Sequence, residues 1–462
     1  MLRLLKQYYP VRNAVFVLGE TFVIFFSVFI ASWFIAGLSI FDKWLCCKIF
    51  LISFICQACL YYNNLYNFKV IDGFTELGIR LFQAVGFASI ILAVIYFFSP
   101  GVIIGKGVSG VSIALILIFI ASWRLCYSVI LERGLFNQKI IILGSGELAN
   151  NIKTEIEDTK DCGYTVKMIF PEDEDFDTAG LNTKNIIISK NGYHGLCEIA
   201  ENLKIDKIVV ALKEKRGLLP VEELLNCRVA GIDVLEGNCF CEILTGKLIV
   251  EQINPGWLIF SKGFKKSFIL SAFKRCTDFF LSFSMLIMLS PIILLTSILI
   301  KIESKGPVFF SQERMGQNRV SYNVHKFRSM ITDAEKNGPV WAKTNDDRIT
   351  RVGKYIRKCR IDEIPQLWNV MLGEMSFVGP RPERAHFVKK LESRIPYYSQ
   401  RFTVKPGLTG WAQVSYGYGA TVDDAIEKLN YELFYIKNMS IPMDLTVIFR
   451  TVKTVLCGEG AR

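Results

Sequence analysis

Phe279 to Ile300 read FFLSFSMLIMLSPIILLTSILI, and the architecture turns on how this run meets a membrane. Its 22 residues are enough to cross a hydrocarbon core, which takes a helix of ~20. Ser290-Pro291 falls at the middle, where proline removes a backbone donor and clashes with the preceding turn. A proline-kinked fifth span would carry residues 301–462, dense in Arg and Lys, across the membrane, against the tendency of basic segments to stay inside. A helix that enters, breaks at Ser290-Pro291 and returns to its own face avoids that export. Its opened backbone then needs partners from side chains and neighbouring protein. The sequence therefore predicts a re-entrant element over 273–302.

Upstream, four apolar segments at about 14–36, 44–62, 79–99 and 111–131 each approach the spanning length, and they define a transmembrane domain over 1–135. Arg3, Lys6 and Arg12 precede the first segment, and no small-residue cleavage site follows it, so a removable signal peptide is not expected. Lys69 and Arg80 lie between the second and third segments, and Arg133 and Lys139 follow the fourth. The other two loops carry only Lys43 and Lys106. This asymmetry predicts a cytoplasmic amino terminus and a cytoplasmic location for everything after the fourth span. Glu20 and Arg124 fall inside spans one and four. Such charges mark functional sites, helix–helix ion pairs or interfacial positions, and all three readings stay open here.

Residues 136–245 read as an α/β domain, with its strands and helices between 139 and 238. Lys139-Ile-Ile-Ile-Leu-Gly144 is a buried strand running into Gly144-Ser-Gly146-Glu-Leu-Ala149 and a polar helix. Further strands are expected at Asn185–Ser189, Lys207–Leu212 and Gly231–Leu235, alternating with helices. A GxGxxA turn brings backbone close to a pyrophosphate at a helix N-terminus. No ribose-binding acid follows the second strand, and Pro171–Asp177 reads as an acidic loop. A nucleotide-sensing domain and a structural or regulatory Rossmann-like module are both open. Residues 246–272 form a connector. The basic run that includes it (Lys247, Lys262, Lys265, Lys266, Lys274, Arg275) precedes the apolar run and suits docking on anionic membrane lipid.

Composition agrees with a mixed membrane and water-exposed chain. Of 462 residues, 51% are hydrophobic, and the mean hydropathy is +0.32. A net charge of +11 favours phospholipid headgroups, nucleotides or lipid phosphates. Nucleic acid is not expected as a partner, because no DNA- or RNA-binding motif accompanies the basic residues. The 13 cysteines include Cys56-x-x-Cys59 and Cys239-x-Cys241. Neither pair has a second ligand pair at metal spacing, and three histidines leave little for zinc. Reduced thiols facing membrane or cytoplasm are expected.

Between 303 and 411 the sequence becomes dense in charge, Gly and Pro. The blocks are Glu303–Phe310, Gln312–Gly316, His325-Lys-Phe-Arg-Ser-Met330, Asp346–Gly353, Arg357-Lys-Cys-Arg-Ile-Asp-Glu-Ile-Pro-Gln-Leu-Trp-Asn369, Met375-Ser-Phe-Val-Gly-Pro-Arg-Pro382 and Lys405-Pro-Gly-Leu-Thr-Gly-Trp411. Asp362-Glu363 places adjacent carboxylates among Arg357, Lys358 and Arg360. Nearby cations favour the ionised carboxylate, which can be a nucleophile or a metal ligand. Pro365 predicts a helix end or turn at the pair. Two acids with several arginines are what phosphoryl chemistry uses, with a hard cation and guanidinium groups neutralising phosphates. An isolated Asp-Glu dipeptide is usually a surface ion-pair former, so the weight lies in the surrounding blocks.

Those blocks give the stretch from about Phe273 to Arg462 its resemblance to the catalytic domain of the bacterial sugar transferases, the monotopic phosphoglycosyl transferases. With four spans and a Rossmann-like module ahead of it, the chain resembles the large members. The ending, Tyr435–Ser440 through Gly458–Arg462, resembles the exopolysaccharide, PEP-CTERM-associated type. The resemblance implies a membrane α-helical bundle plus α/β, with a mostly helical monotopic catalytic domain over 273–462 anchored by the re-entrant helix. It implies a multi-pass protein of the bacterial inner membrane whose active site faces the cytoplasm, acting at the first membrane step of exopolysaccharide synthesis. Asp362 would attack the β-phosphate of a UDP-sugar, releasing UMP, and polyprenyl phosphate would then take the sugar phosphate from the aspartyl intermediate. Glu363 would assist with Mg2+ or with proton handling, and Asp362 and Glu363 together are the expected Mg2+ ligands. Arg357 and Arg381 match diphosphate-binding positions, Lys326 and Arg328 are candidate phosphate contacts, and Thr409, Gly410 and Trp411 would shape the nucleotide pocket. For Arg328 and Trp411 an internal ion pair and a core aromatic are the competing roles. Cys359 departs from the small hydroxyl or polar residue of relatives. A homodimer follows by analogy with large relatives. The competing functions are an inactive membrane scaffold or nucleotide-sensing regulator, and a glycosyltransferase that leaves UDP.

Overall fold

The computed structural model describes the chain apart from residues 1, 5–6, 10, 38–43, 67–73, 106, 133, 135–136, 160–161, 172–186, 189–192, 213–218, 254–255, 257–262, 265–266, 332–345, 418, 420 and 457–462. Lys6, Lys43, Lys69, Lys106, Arg133, Lys262, Lys265 and Lys266, most of the expected acidic loop, and the ending Gly458–Arg462 lie outside the described residues. Two compact units divide near Phe240 and Cys241.

The first unit contains helices α1 (Val11–Ala36), α2 (Leu45–Tyr62), α3 (Phe74–Phe98) and α4 (Val108–Glu132). They contain four stretches long and apolar enough to cross a membrane: Val15–Ile35, Leu45–Tyr62, Thr75–Phe98 and Val108–Ile130. The third begins four residues before the expected 79, because Thr75, Glu76 and Arg80 continue the helix; Arg80 and Glu76 pair at 2.7 Å as i, i+4 partners. Glu20 and Arg124 form a buried ion pair between α1 and α4 at 2.6 Å. The Arg124 guanidinium also donates to the Leu65 carbonyl and lies over the Phe16 and Tyr66 rings. Of the three readings the sequence left open, the helix–helix pair is the one observed.

Beyond α4 comes a five-stranded parallel sheet of β1 (Gln138–Leu143), β2 (Tyr164–Phe170), β3 (Ile187–Ile188), β4 (Lys207–Val210) and β5 (Asp233–Glu236), in the order β3-β2-β1-β4-β5. Ile140 to Leu143 are all fully buried, as expected of a central parallel strand covered on both faces. At its end Gly144 adopts φ +121°, and a Cβ there would lie 2.4 Å from the Ala211 carbonyl oxygen, so no other residue fits. Helices α5 (Glu147–Asp158), α6 (Leu196–Asn202), α7 (Val221–Val229) and α8 (Gly237–Thr245) accompany the strands.

In the second unit, the apolar run forms α9 (Phe268–Met288) and α10 (Ser290–Glu303), bent by 60°. The break falls at Leu289, so Pro291 opens the second helix instead of interrupting one, and the Ser290 hydroxyl donates to the Ile287 carbonyl at 2.7 Å. Phe280, Ile287, Met288, Leu294 and Leu295 face outward. The inner side of α9 packs Leu270, Met285 and Leu286 against the core and also carries three polar fastenings. Lys274 pairs with Asp444 at 2.6 Å, Arg275 donates to the Val370 and Met371 carbonyls, and the buried Asp278 accepts from the Phe377 amide. Lys247 pairs with Glu427. Three members of the expected lipid-docking run therefore have partners within the protein, because half-buried carboxylates and helix-end carbonyls sit within their reach.

The rest of the unit is an antiparallel hairpin, β6 (Phe309–Met315) with β7 (Ser321–Phe327), and a parallel pair, β8 (Ser376–Val378) with β9 (Gly407–Thr409). Around them lie α11 (Arg351–Lys358), α12 (Gln366–Leu372), α13 (Ala385–Glu392), α14 (Trp411–Ser415), α15 (Val422–Asn438) and α16 (Ile441–Leu456). Their core joins Leu367, Val370, Phe377, Trp411, Leu433 and Val447.

Candidate active site

Asp362 and Glu363 lie on a single 3₁₀ turn, Ile361–Glu363, between α11 and α12, at the helix boundary that Pro365 predicts. Arg360 enters the turn at φ +57°, an unusual conformation for a residue with a side chain. The Thr350 hydroxyl caps α11, the Glu303 carboxylate accepts from its Val352 amide, and Gly353 packs against the Ser329 carbonyl. These contacts fix the helix that carries Arg357 up to the turn.

Glu363 is the electrostatic hub. Its Oε1 accepts from Lys326 Nζ at 2.8 Å and from Arg381 Nη2 at 3.1 Å, while Arg360 Nη1 lies 3.9 Å from Oε2. Burial pushes the Glu363 carboxyl up, but the Lys326 and Arg381 charges outweigh it and hold the group well below the usual carboxylate range. Asp362 moves the other way. Burial and the adjacent Glu363 charge raise it, against the pull of Lys326, Arg357 and Arg360. Two neighbouring acids driven apart in this way differ in role: one is a fixed charge, the other a more basic, buried oxygen.

Two elements deliver the cations. Lys326 sits on β7, which Asn369 ties to α12: its side chain accepts from the His325 amide and donates to the Asn323 carbonyl and to Glu374. Arg381 leaves the end of β8. The Gly379 amide donates to the Thr409 carbonyl and the Gly407 amide to the Pro380 carbonyl. A Cβ on Gly379 would lie 2.4 Å from the Lys405 oxygen, one on Gly407 2.1 Å from the Gly379 nitrogen, and one on Gly410 2.2 Å from the Gly379 oxygen. The glycines of the two blocks allow backbone-to-backbone packing, and that packing sets where Arg381 emerges.

The structure brings together Asp362, Glu363, Lys326 and Arg381, with Arg357 close enough to act on Asp362. Arg328 is used otherwise. It is buried and donates to the Ser304 and Lys305 carbonyls and the Ser304 hydroxyl, latching the end of α10. Thr409 and Trp411 also face inward, Thr409 against the Thr451 hydroxyl and Trp411 bonded to the Gly246 carbonyl between Phe434 and Arg450. Trp411 is thus packed as a core aromatic, while Arg328 is held by carbonyls and a hydroxyl instead of the internal ion pair weighed for it, and Gly410 acts through its missing side chain. Ser290 and Pro291 are the first residues of α10, just after the break at Leu289. Arg401 and Glu432, which support Arg381, escaped the sequence reading. Glu432 had a signal: a charge in the apolar stripe of Leu429, Leu433 and Ile436. Among the described residues no cluster of three metal-ligating side chains forms.

Residues 269–458 match the model of the Bacterial sugar transferase family. The chain is 41% identical over 239 residues to the UDP-N-acetylgalactosamine-undecaprenyl-phosphate N-acetylgalactosaminephosphotransferase of Aeromonas hydrophila, covering 52% of this chain and 56% of that protein. It is 30% identical over 339 residues to the undecaprenyl-phosphate glucose phosphotransferase of Komagataeibacter xylinus, covering 70% of this chain and 60% of that one. With the exopolysaccharide production protein PSS of Rhizobium leguminosarum bv. phaseoli it shares 42% identity over 197 residues, covering 40% of this chain and 97% of that protein. The chain belongs to the bacterial sugar transferase family. It spans little more than half the length of the first and second of these relatives.

Proposed function

We propose that this chain transfers a sugar-1-phosphate from a UDP-sugar to polyprenyl phosphate, with Asp362 as the nucleophile. An Asp362 carboxylate oxygen attacks the β-phosphorus, and the bond from that phosphorus to the oxygen bridging the α-phosphate breaks. UMP leaves with that oxygen, and a sugar-phosphoryl aspartate remains. A phosphate oxygen of the polyprenyl phosphate then attacks the same phosphorus, the aspartyl bond breaks, and polyprenyl-diphospho-sugar departs. The observation that carries the reading is the division within one turn: Glu363 is fixed as a charge by Lys326 and Arg381, while Asp362 is buried, more basic and flanked by cations. A more basic carboxylate is the stronger nucleophile, and Arg381 and Arg357 can neutralise charge on the donor's diphosphate as UMP departs. The relatives' printed substrates, undecaprenyl phosphate with a UDP-sugar, support the same pairing.

The donor set suits Mg2+, which takes one or two carboxylates and completes its shell with substrate phosphates and water. Asp362 and Glu363 Oε2 would hold it, since Glu363 Oε1 already accepts from Lys326 and Arg381. The ion would supply charge neutralisation on the phosphates.

The bent α9–α10 pair supports re-entry, with the active site on the cytoplasmic face of an inner membrane. The parallel order of the first unit's sheet, with its Gly144 turn, supports a Rossmann-like module. Purified full-length protein given Mg2+, polyprenyl phosphate and a panel of UDP-sugars should release UMP, and Asp362→Asn should lose at least about three orders of magnitude of that rate. Release of UDP, or full activity in Asp362→Asn, would overturn the mechanism.

A further inference from the structure

We infer that the buried Arg401–Glu432 pair is a positioning clamp for Arg381, holding its guanidinium against Glu363. The inference rests on the transfer reading and adds two residues to it. In Pro380-Arg381-Pro382 both flanking residues lack an amide hydrogen, so the loop has one backbone donor, the Arg381 N–H. Burial raises the Glu432 carboxyl, and the nearby Arg381 N–H is among the groups that pull it back. The Arg381 carbonyl accepts from Arg401 Nη2 at 2.8 Å, and the same nitrogen lies 2.8 Å from Glu432 Oε1. The ion pair therefore grips the backbone of residue 381 through its carbonyl. The Tyr398 hydroxyl completes the geometry, accepting from Arg401 Nη1 at 2.6 Å.

The pair is expensive in its setting. Its side chains are 5% and 6% exposed, and taking both charges out of water costs several kcal/mol, which their attraction only partly returns. Apolar residues of similar volume often serve stability as well or better. The loop's flanking carbonyls already have partners, Pro380 with the Gly407 amide and Pro382 with Arg314. What only Arg401 and Glu432 provide is the grip on residue 381. The Arg381 side chain is 42% exposed and meets Glu363 at 3.1 Å, so its direction is set by its backbone more than by packing. Arg401 and Glu432 are positioning residues that act through Arg381.

A cycle of full-length variants tests this. Arg401→Met/Glu432→Leu should keep the thermal midpoint close to wild type yet lower kcat/KM for UMP release on the order of ten- to a hundredfold, the range seen when supporting hydrogen bonds around a site are lost. In an Arg381→Ala background the same double replacement should cost less than about twofold more, because residues acting as a unit are non-additive. Equal fold-losses in both backgrounds, or no loss in the wild-type background, would overturn the clamp. If the double replacement fails to fold, Glu432→Gln carries the same cycle and the same two outcomes. Wild-type protein runs in every panel. Absence of UMP release there sinks the transfer reading and the clamp with it, whereas an active wild type with multiplicative losses sinks the clamp alone.

Discussion

Adjacent carboxylates at 362 and 363 are shifted in opposite directions: burial and the Glu363 charge raise Asp362, while among the described residues direct cationic partners, Lys326 and Arg381, reach Glu363. The Glu363 carboxyl, held down by Lys326 and Arg381, contributes stability that is complete above its unfolded value of about 4.3 and fades as pH falls through its lower folded value. Asp362 has the opposite sign. Its folded value is raised by burial and by Glu363, so its ionisation costs stability, absent below about 3.9 and full above the folded value. Asp362→Asn should therefore raise the melting temperature at pH 8, with the gain shrinking toward pH 4, while Glu363→Gln should lower stability at pH 8 by roughly 1–3 kcal/mol. Thermal melts of both variants across that range check the signs, and a loss of stability in Asp362→Asn at pH 8 would contradict the assignment. The sequence made the pair legible through its flanking blocks, and two of its four proposed phosphate ligands, Lys326 and Arg381, do meet Glu363. It could not show that Arg328, a near neighbour of Lys326 in the chain, reaches back to the end of a helix, since that depends on a contact with Ser304 that no periodicity records.

At the scale of elements, the glycine-rich blocks act through space more than through backbone freedom. Gly410 has an ordinary extended φ of −159°, yet a Cβ on it would lie 2.2 Å from the Gly379 carbonyl oxygen. Backbone oxygen cannot swing aside as a side-chain tip can, so β8 and β9 would have to separate. Gly410→Ala should cost about 2 kcal/mol or more by overpacking and should lower UMP release at a permissive temperature, because β8 carries Arg381. Gly417, with open space around its Cβ position, is the control, and Gly417→Ala should stay within about 0.5 kcal/mol of wild type. Denaturant unfolding of the two variants compares them, and equal stabilities would refute the close-packing account. Here the sequence predicted where the elements lie better than what holds them. The four long apolar helices, four of the five parallel strands and a helix break beside Ser290-Pro291 were readable from apolar runs and turn residues, whereas the strand Tyr164–Phe170 was not among those expected. The parallel pairing of β8 with β9 was not, because the partners lie about thirty residues apart and each is only three residues long.

For the molecule as a whole, the open question at the outset was whether the Phe279–Ile300 run crosses the membrane, and the fastenings at both ends of the helix pair bear on it. Near the start of α9, Arg275 caps α12 through the Val370 and Met371 carbonyls, and Asp278 accepts from the Phe377 amide. After α10, Arg328 grips Ser304 and Lys305, and Glu303 caps α11. All of these partners belong to the one unit that holds Asp362 and Glu363. A bilayer passing between the two ends would have to cut through that unit and place charged groups such as Lys326 and Arg360 in hydrocarbon, at several kcal/mol each. Outward-facing apolar residues on the bent pair can enter the bilayer from one face without that cost. Single cysteines at Ser267 and Val320, introduced after replacing the exposed Cys46, Cys47, Cys126, Cys276 and Cys359, should both react with an impermeant maleimide in inside-out vesicles and neither in intact spheroplasts. Labelling of the two positions from opposite sides would restore a through span, and with it a reading in which the 60° bend is a kink in a single crossing helix.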